Sequence, residues 1–124
     1  FAESPPEQSQ AYTFTVALLR MLRQLHRSRI AHLDVKPQNL VVVRPLSLKL
    51  IDLCSWGVLG EEAPLSLSLR YAAPELVKLF REGHVSSRPT PAMDVYSAGA
   101  VAFWLFTGRE LFPTEEADEV SWLV

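Results

Sequence analysis

The eleven residues AGAVAFWLFTG (98–108) carry no charge, and they constrain the fold more than any other stretch of this chain. Thr90 and Pro91 precede them in the pattern of a helix start, and Gly108 closes them as a helix stop. The spacing predicts a helix over about 92–107. It is apolar nearly all round, so it is predicted to lie at the centre of the fold. A membrane span needs ~20 apolar residues, about twice this run, so it reads as a buried helix and no membrane segment is seen.

Smaller elements surround it. Val16, Leu19, Leu22 and Leu25 recur every three residues between Ala11 and about Arg27, with Leu18 flanking. That predicts an amphipathic helix, with basic residues late in it, where they complement the helix dipole. LVVV (40–43) and LKLIDL (48–53), joined through RPLS, read as the two strands of a small hairpin. Residues 54–70 contain Gly57, Gly60 and Pro64 and read as a long loop. APELVKLFREG (73–83) reads as a short helix that stops at Gly83, and HVSSRPTP as a further loop. FAESPPEQSQ (1–10) reads as a linker, and EEADEVSWLV (115–124) as the start of one more helix. The predicted class is mainly α with a two-stranded insert. At 124 residues it is one domain or a large piece of one.

Twelve basic and fourteen acidic residues leave a net charge of −2, which gives no large basic field for nucleic acid. The single cysteine, Cys54, excludes an internal disulfide framework and a cysteine-rich zinc site; it reads as a small buried hydrophobe in a reducing, intracellular setting. The chain opens on Phe1 rather than Met, and reads as a piece of a longer polypeptide.

The chemistry concentrates in AHLDVKPQNL (31–40), where Pro37 stiffens a loop carrying His32, Asp34, Lys36 and Asn39. Asp34 can accept a proton from a hydroxyl. Lys36 can neutralise a phosphate, and the Asn39 amide oxygen is a hard ligand suited to Mg²⁺. Asp52 ends the next strand, and a hairpin brings it near Asn39. Taken singly, each is more often a cap or a solvated surface group. Together they fit phosphoryl transfer from a metal-bound nucleotide.

HLDVKPQN followed by IDL resembles the catalytic loop and metal-binding segment of protein kinases. RYAAPE (70–75) resembles the end of their activation segment, and DVYSAG (94–99) the opening of the central helix of their C-lobe. The resemblance covers about residues 11–112. It implies a partial kinase C-lobe over 11–124: catalytic loop 32–39, metal segment 52–54, activation segment 52–75, central helix about 92–107. It also implies roles. Asp34 would be the catalytic base and Lys36 would stabilise the transferred phosphoryl group. Asn39 and Asp52 would hold Mg²⁺, and with Lys36 they would face ATP. Ser68 would bond to the catalytic Asp and Lys. Glu75 would pair with an arginine from later in the C-lobe. Asp94 would accept backbone hydrogen bonds that brace the catalytic loop, and His32 would be a packed strut rather than a proton carrier. The lysine and proline of DVKPQN are similar to the serine/threonine branch. Small-molecule kinases lack APE and the DVYSAG opening. The implied activity is transfer of the ATP γ-phosphate to a serine or threonine of a protein substrate, with ATP and Mg²⁺ as cofactors.

Three features depart from that pattern. Leu33 replaces the arginine of the usual His-Arg-Asp. That arginine commonly binds a phosphate on the activation loop through a strong charge-assisted pair, so its loss argues against activation by loop phosphorylation. DLC (52–54) replaces Asp-Phe-Gly, and the Cβ of Cys54 restricts any switch that needs positive φ. The glycine-rich loop, strand lysine and helix glutamate of the family belong to an N-lobe expected before Phe1 in the same polypeptide. Without that lobe these 124 residues are not expected to be active. The departures favour, as the alternative, a pseudokinase acting as a scaffold or allosteric binding module. The joint retention of Asp34, Lys36, Asn39 and Asp52 favours the enzyme.

Overall fold

The structure, a computed structural model, describes residues 7–44, 47–51 and 55–112. Helix α1 (Gln8–Arg27) leads into strand β1 (Ile30–Ala31). A 3₁₀ turn (Pro37–Asn39) then opens the hairpin β2 (Leu40–Arg44) and β3 (Ser47–Leu50). Strands β4 (Gly57–Val58) and β5 (Ala63–Pro64), helix α2 (Pro74–Arg81), strand β6 (Ser86–Ser87) and helix α3 (Pro91–Thr107) complete the order. The strands form three two-stranded antiparallel sheets, β1–β4, β2–β3 and β5–β6.

Helix α1 starts earlier than its apolar pattern, so residues 8–10, expected in a linker, are helical. Its buried stripe is Ala11, Phe14, Leu18 and Leu22. Those spacings of three and four follow the 3.6-residue turn. A strict repeat of three falls about 60° behind the helix at each step, which rotates Leu19 out of the stripe; it is 44% exposed. Leu18, expected only to flank the stripe, sits fully buried at its centre.

Helix α3 begins with Pro91 after an extended Thr90. It ends where Gly108, at φ 73°, donates its N–H to the Trp104 carbonyl at 2.8 Å. Ala98, Val101, Trp104 and Leu105 pack with the α1 stripe in one core, joined by Leu40 and Val35. The helix, apolar nearly all round, is expected at the centre of the fold. Among the described residues it is covered on one side only, and Val95 and Phe103 face outward. An all-round apolar helix needs cover on every face, and the elements described here supply it on the α1 side.

The hairpin pairs Leu40 with Leu50, Val41 with Lys49 and Val42 with Leu48, and it lays Leu48 and Leu50 against the α1 core. The stretches expected as plain loops, 54–70 and HVSSRPTP, are instead tied by two-residue ladders. Ile30 and Ala31 pair with Val58 and Gly57, and Ala63 and Pro64 pair with Ser87 and Ser86. A strand of two residues is too short to show any alternation. The junction is tight: a Cβ on Gly57 would stand 2.7 Å from the Pro89 Cγ and 3.0 Å from the Ala63 Cβ. A second core gathers Ala31, Leu33, Ala73, Leu76 and Met93, with Leu59, Leu65 and Leu67 packed on it.

Candidate active site

Residues 33–36 alternate. Leu33 and Val35 are buried, in different cores, while Asp34 and Lys36 keep side-chain exposures of 15% and 26%. Extended backbone gives that alternation, and Lys36 is extended at φ −160°, ψ 162°. Leu33 is not extended. Its φ of 67° lies in the left-handed region, which costs a branched side chain about 1–2 kcal/mol. Two contacts hold it there: its side chain is buried, and its N–H donates to Asp94 Oδ1 at 2.8 Å.

Asp94 is fully buried in the first turn of α3. Its Oδ2 accepts the His32 N–H at 2.8 Å and meets His26 Nε2 at 2.9 Å. A buried carboxylate needs such donors, because an unpaired one is strongly disfavoured. The same pairs fix the backbone on which Asp34 stands.

The His32 ring is fully buried and both nitrogens are engaged within the chain. Nδ1 accepts the Asp34 N–H at 3.1 Å, so the proton resides on Nε2, which donates to the Ile51 carbonyl at 2.9 Å. Asn39 closes the 3₁₀ turn with its N–H on the Lys36 carbonyl. Its Nδ2 donates to the Asp34 carbonyl at 2.8 Å and to Asp34 Oδ2 at 3.2 Å, turning its oxygen arm away from that carboxylate. The Asn39 carbonyl accepts the Ile51 N–H at 2.9 Å, so the residue before Asp52 lies across from Asn39. Asp52 itself, with Leu53 and Cys54, lies outside the described residues.

Ser68 arrives from the segment between β5 and α2. Its Oγ donates to Asp34 Oδ1 at 2.8 Å and accepts from Lys36 Nζ at 2.8 Å, while Lys36 Nζ stands 3.5 Å from Asp34 Oδ2. A carboxylate, an ammonium and a hydroxyl thus meet at one point. That arrangement can orient a hydroxyl at a carboxylate beside a cation able to offset phosphate charge. The oxygens here are of the hard kind that Mg²⁺ takes. Among the described residues no group of three His, Cys, Asp or Glu side chains is placed to hold a metal by itself. Two open clefts, of about 360 and 400 Å³, are lined by residues of α1, β3 and the start of α3, and neither includes Asp34 or Lys36.

Glu75 lies exposed in the first turn of α2. Its charge reaches Tyr96, whose phenol pKa is raised first by burial and then by Glu75.

Three supports were not read from the sequence. One is His26, which carried a signal: a buried aspartate at the head of an apolar helix requires donors, and a histidine stands in the last turn of α1. The second is Ser97, whose Oγ donates to the Tyr71 carbonyl at 2.6 Å. The third is Arg70, paired with Glu110 across forty residues. Neither of the last two carried a local signal. Tyr71, between them, has its phenol pushed up to about 12 by burial, with Glu110 adding to the rise and Arg70 opposing it.

Comparison with known proteins bears on this geometry. A family model described as protein kinase domain matches residues 2–123. Mitogen-activated protein kinase 12 of Oryza sativa subsp. japonica is 33% identical over 115 residues, covering 87% of this chain and 19% of that protein. Mitogen-activated protein kinase KSS1 of Saccharomyces cerevisiae is 29% identical over 122 residues, covering 90% of this chain and 32% of its own length. Protein kinase gsk31 of Schizosaccharomyces pombe is 39% identical over 110 residues, covering 86% of this chain and 27% of that protein. The chain therefore spans between about a fifth and a third of these relatives' lengths. Among the described residues no helix is long and apolar enough to cross a membrane. With a loop that presents Asp34, Lys36 and Asn39 together and a domain match over nearly its whole length, the chain belongs to the eukaryotic protein kinases of the serine/threonine type.

Proposed function

We propose that this chain is the C-lobe core of a serine/threonine protein kinase whose complete polypeptide transfers the ATP γ-phosphate to a protein hydroxyl. One observation carries the reading: Ser68 Oγ bridges Asp34 and Lys36 at 2.8 Å each, with Asn39 bonded to the same aspartate. Asp34 already receives a hydroxyl on Oδ1, and a substrate hydroxyl approaching that carboxylate would be oriented and relieved of its proton there. Lys36 would stand beside the transferred phosphoryl group and offset its charge. Asn39 and Asp52 would hold Mg²⁺, which, bound with ATP, neutralises charge on the phosphates. His32 and Asp94 would act on none of the reacting atoms and would hold the loop in place.

The test is phosphate transfer from Mg-ATP to a serine- and threonine-containing protein acceptor by the complete protein, wild type against Asp34→Asn. Transfer by the wild type and a loss of about 10²–10⁴-fold in kcat for the variant, at unchanged melting temperature, is the expected result. Transfer retained by Asp34→Asn would remove Asp34 from the role of base. A wild type that neither binds Mg-ATP nor transfers phosphate would be a scaffold built on the same fold.

A further inference from the structure

We infer that the Arg70–Glu110 ion pair is the positioning element that holds Ser68 against Asp34 and Lys36. The role it assigns rests on the kinase reading above; the geometry does not. Arg70 Nη1 lies 3.0 Å from Glu110 Oε1 and 3.1 Å from Oε2, with side-chain exposures of 31% and 29%. Arg70 is two residues from Ser68 and belongs to the same turn. The Ser68 carbonyl accepts the N–H groups of both Tyr71 and Ala72, at 3.0 and 2.9 Å, so residues 68–72 move as one piece.

That piece is anchored at two points, one in α3 and one just after it. The Tyr71 carbonyl is held by Ser97 Oγ in the body of the helix, and Arg70 is held by Glu110 just beyond the Gly108 stop. The same helix holds the catalytic loop through Asp94. A single rigid helix of seventeen residues therefore carries both halves of the site. It sets the distance between the Asp34 carboxylate and the Ser68 hydroxyl. One anchor alone would let the turn pivot about the Tyr71 carbonyl; the ion pair removes that freedom. Displacements near 1 Å at a reacting group can cost about 100-fold in rate, so a support remote from the chemistry can control it.

The experiment uses the complete protein in four forms: wild type, Arg70→Glu, Glu110→Arg and the charge-reversed double variant. The single variants should lower kcat about tenfold while leaving KM for ATP within about twofold, and the double variant should recover most of the loss. Amide hydrogen exchange over residues 66–72 is measured on the same four proteins. It should quicken in the single variants and return toward wild type in the double. Single variants with wild-type kcat, or a double variant no better than either single, would overturn the proposal. So would exchange that does not change. If the wild type transfers no phosphate, the kinase reading fails by itself, and the exchange pattern alone decides whether the pair holds Ser68 in place.

Discussion

The two stretches that meet at Asp34 and Ser68 are held in opposite ways. Residues 32–39 rest on a fully buried carboxylate, a fully buried imidazole and side chains that alternate into two cores. Residues 57–67, which lead to Ser68, are held by two-residue ladders and a few isolated contacts. Arg29 reaches the Leu59 carbonyl at 3.3 Å, Arg88 reaches the Gly60 carbonyl at 3.0 Å, and Ser86 bonds Glu62. All of those side-chain bonds are exposed to solvent, where each is worth little. The difference teaches that the site is built from a stiff half that carries the carboxylate and a softer half that delivers the hydroxyl. The proposed catalysis by positioning needs the first to be fixed in advance; the second, with few buried contacts, is the half open to local movement.

The largest break in that comparison should come from Asp94→Ala. It strips a partner from two buried backbone donors and from His26, and is expected to cost about 3–5 kcal/mol, seen as a much lower denaturation midpoint of the complete protein. A midpoint unchanged within error would show that the loop does not depend on this carboxylate.

Next comes a pH effect where the soft half ends. The Tyr71 phenol is raised from 10.0 to about 12, so the folded chain keeps the proton that the unfolded chain gives up near pH 10. Its contribution is intact below pH 10 and is lost as pH climbs toward 12, about 2–3 kcal/mol in all. Unfolding of wild type and Tyr71→Phe across that range separates this loss from the lysine titrations both share; parallel curves would refute it. Smaller again, Gly57→Ala should cost about 1–3 kcal/mol, because the new methyl meets Pro89 and Ala63. The effect should concentrate in the soft half, with faster hydrogen exchange over 57–65 and little change over 32–39.

Much of the stiff half was legible in the sequence, because its parts are local. Asp34, Lys36 and Asn39 fall within one short loop, and Pro37 and Gly108 punctuate the chain where the 3₁₀ turn begins and α3 ends. Less of the soft half was legible, because its supports are distant. Ser68 joins Asp34 across 34 positions, a contact expected through the resemblance and not from any local pattern, while Arg70 joins Glu110 across 40, and nothing in either neighbourhood encodes the other. Leu19 falls outside the buried stripe for a different reason: three-residue recurrence imitates helical periodicity for one turn and then drifts out of phase. The outward faces of Val95 and Phe103 could not be read from composition either, since an apolar helix looks alike whether one side or every side is covered.

The contrast itself is tested most directly by native-state hydrogen exchange on the complete protein, comparing the amides of His32 and Leu33 with those of residues 57–67. If a buried carboxylate holds the loop, the His32 and Leu33 amides should exchange only as slowly as the α3 core opens, and those of 57–67 much faster through local opening. His32 and Leu33 amides that exchange as fast as residues 57–67 would contradict a site with one fixed half.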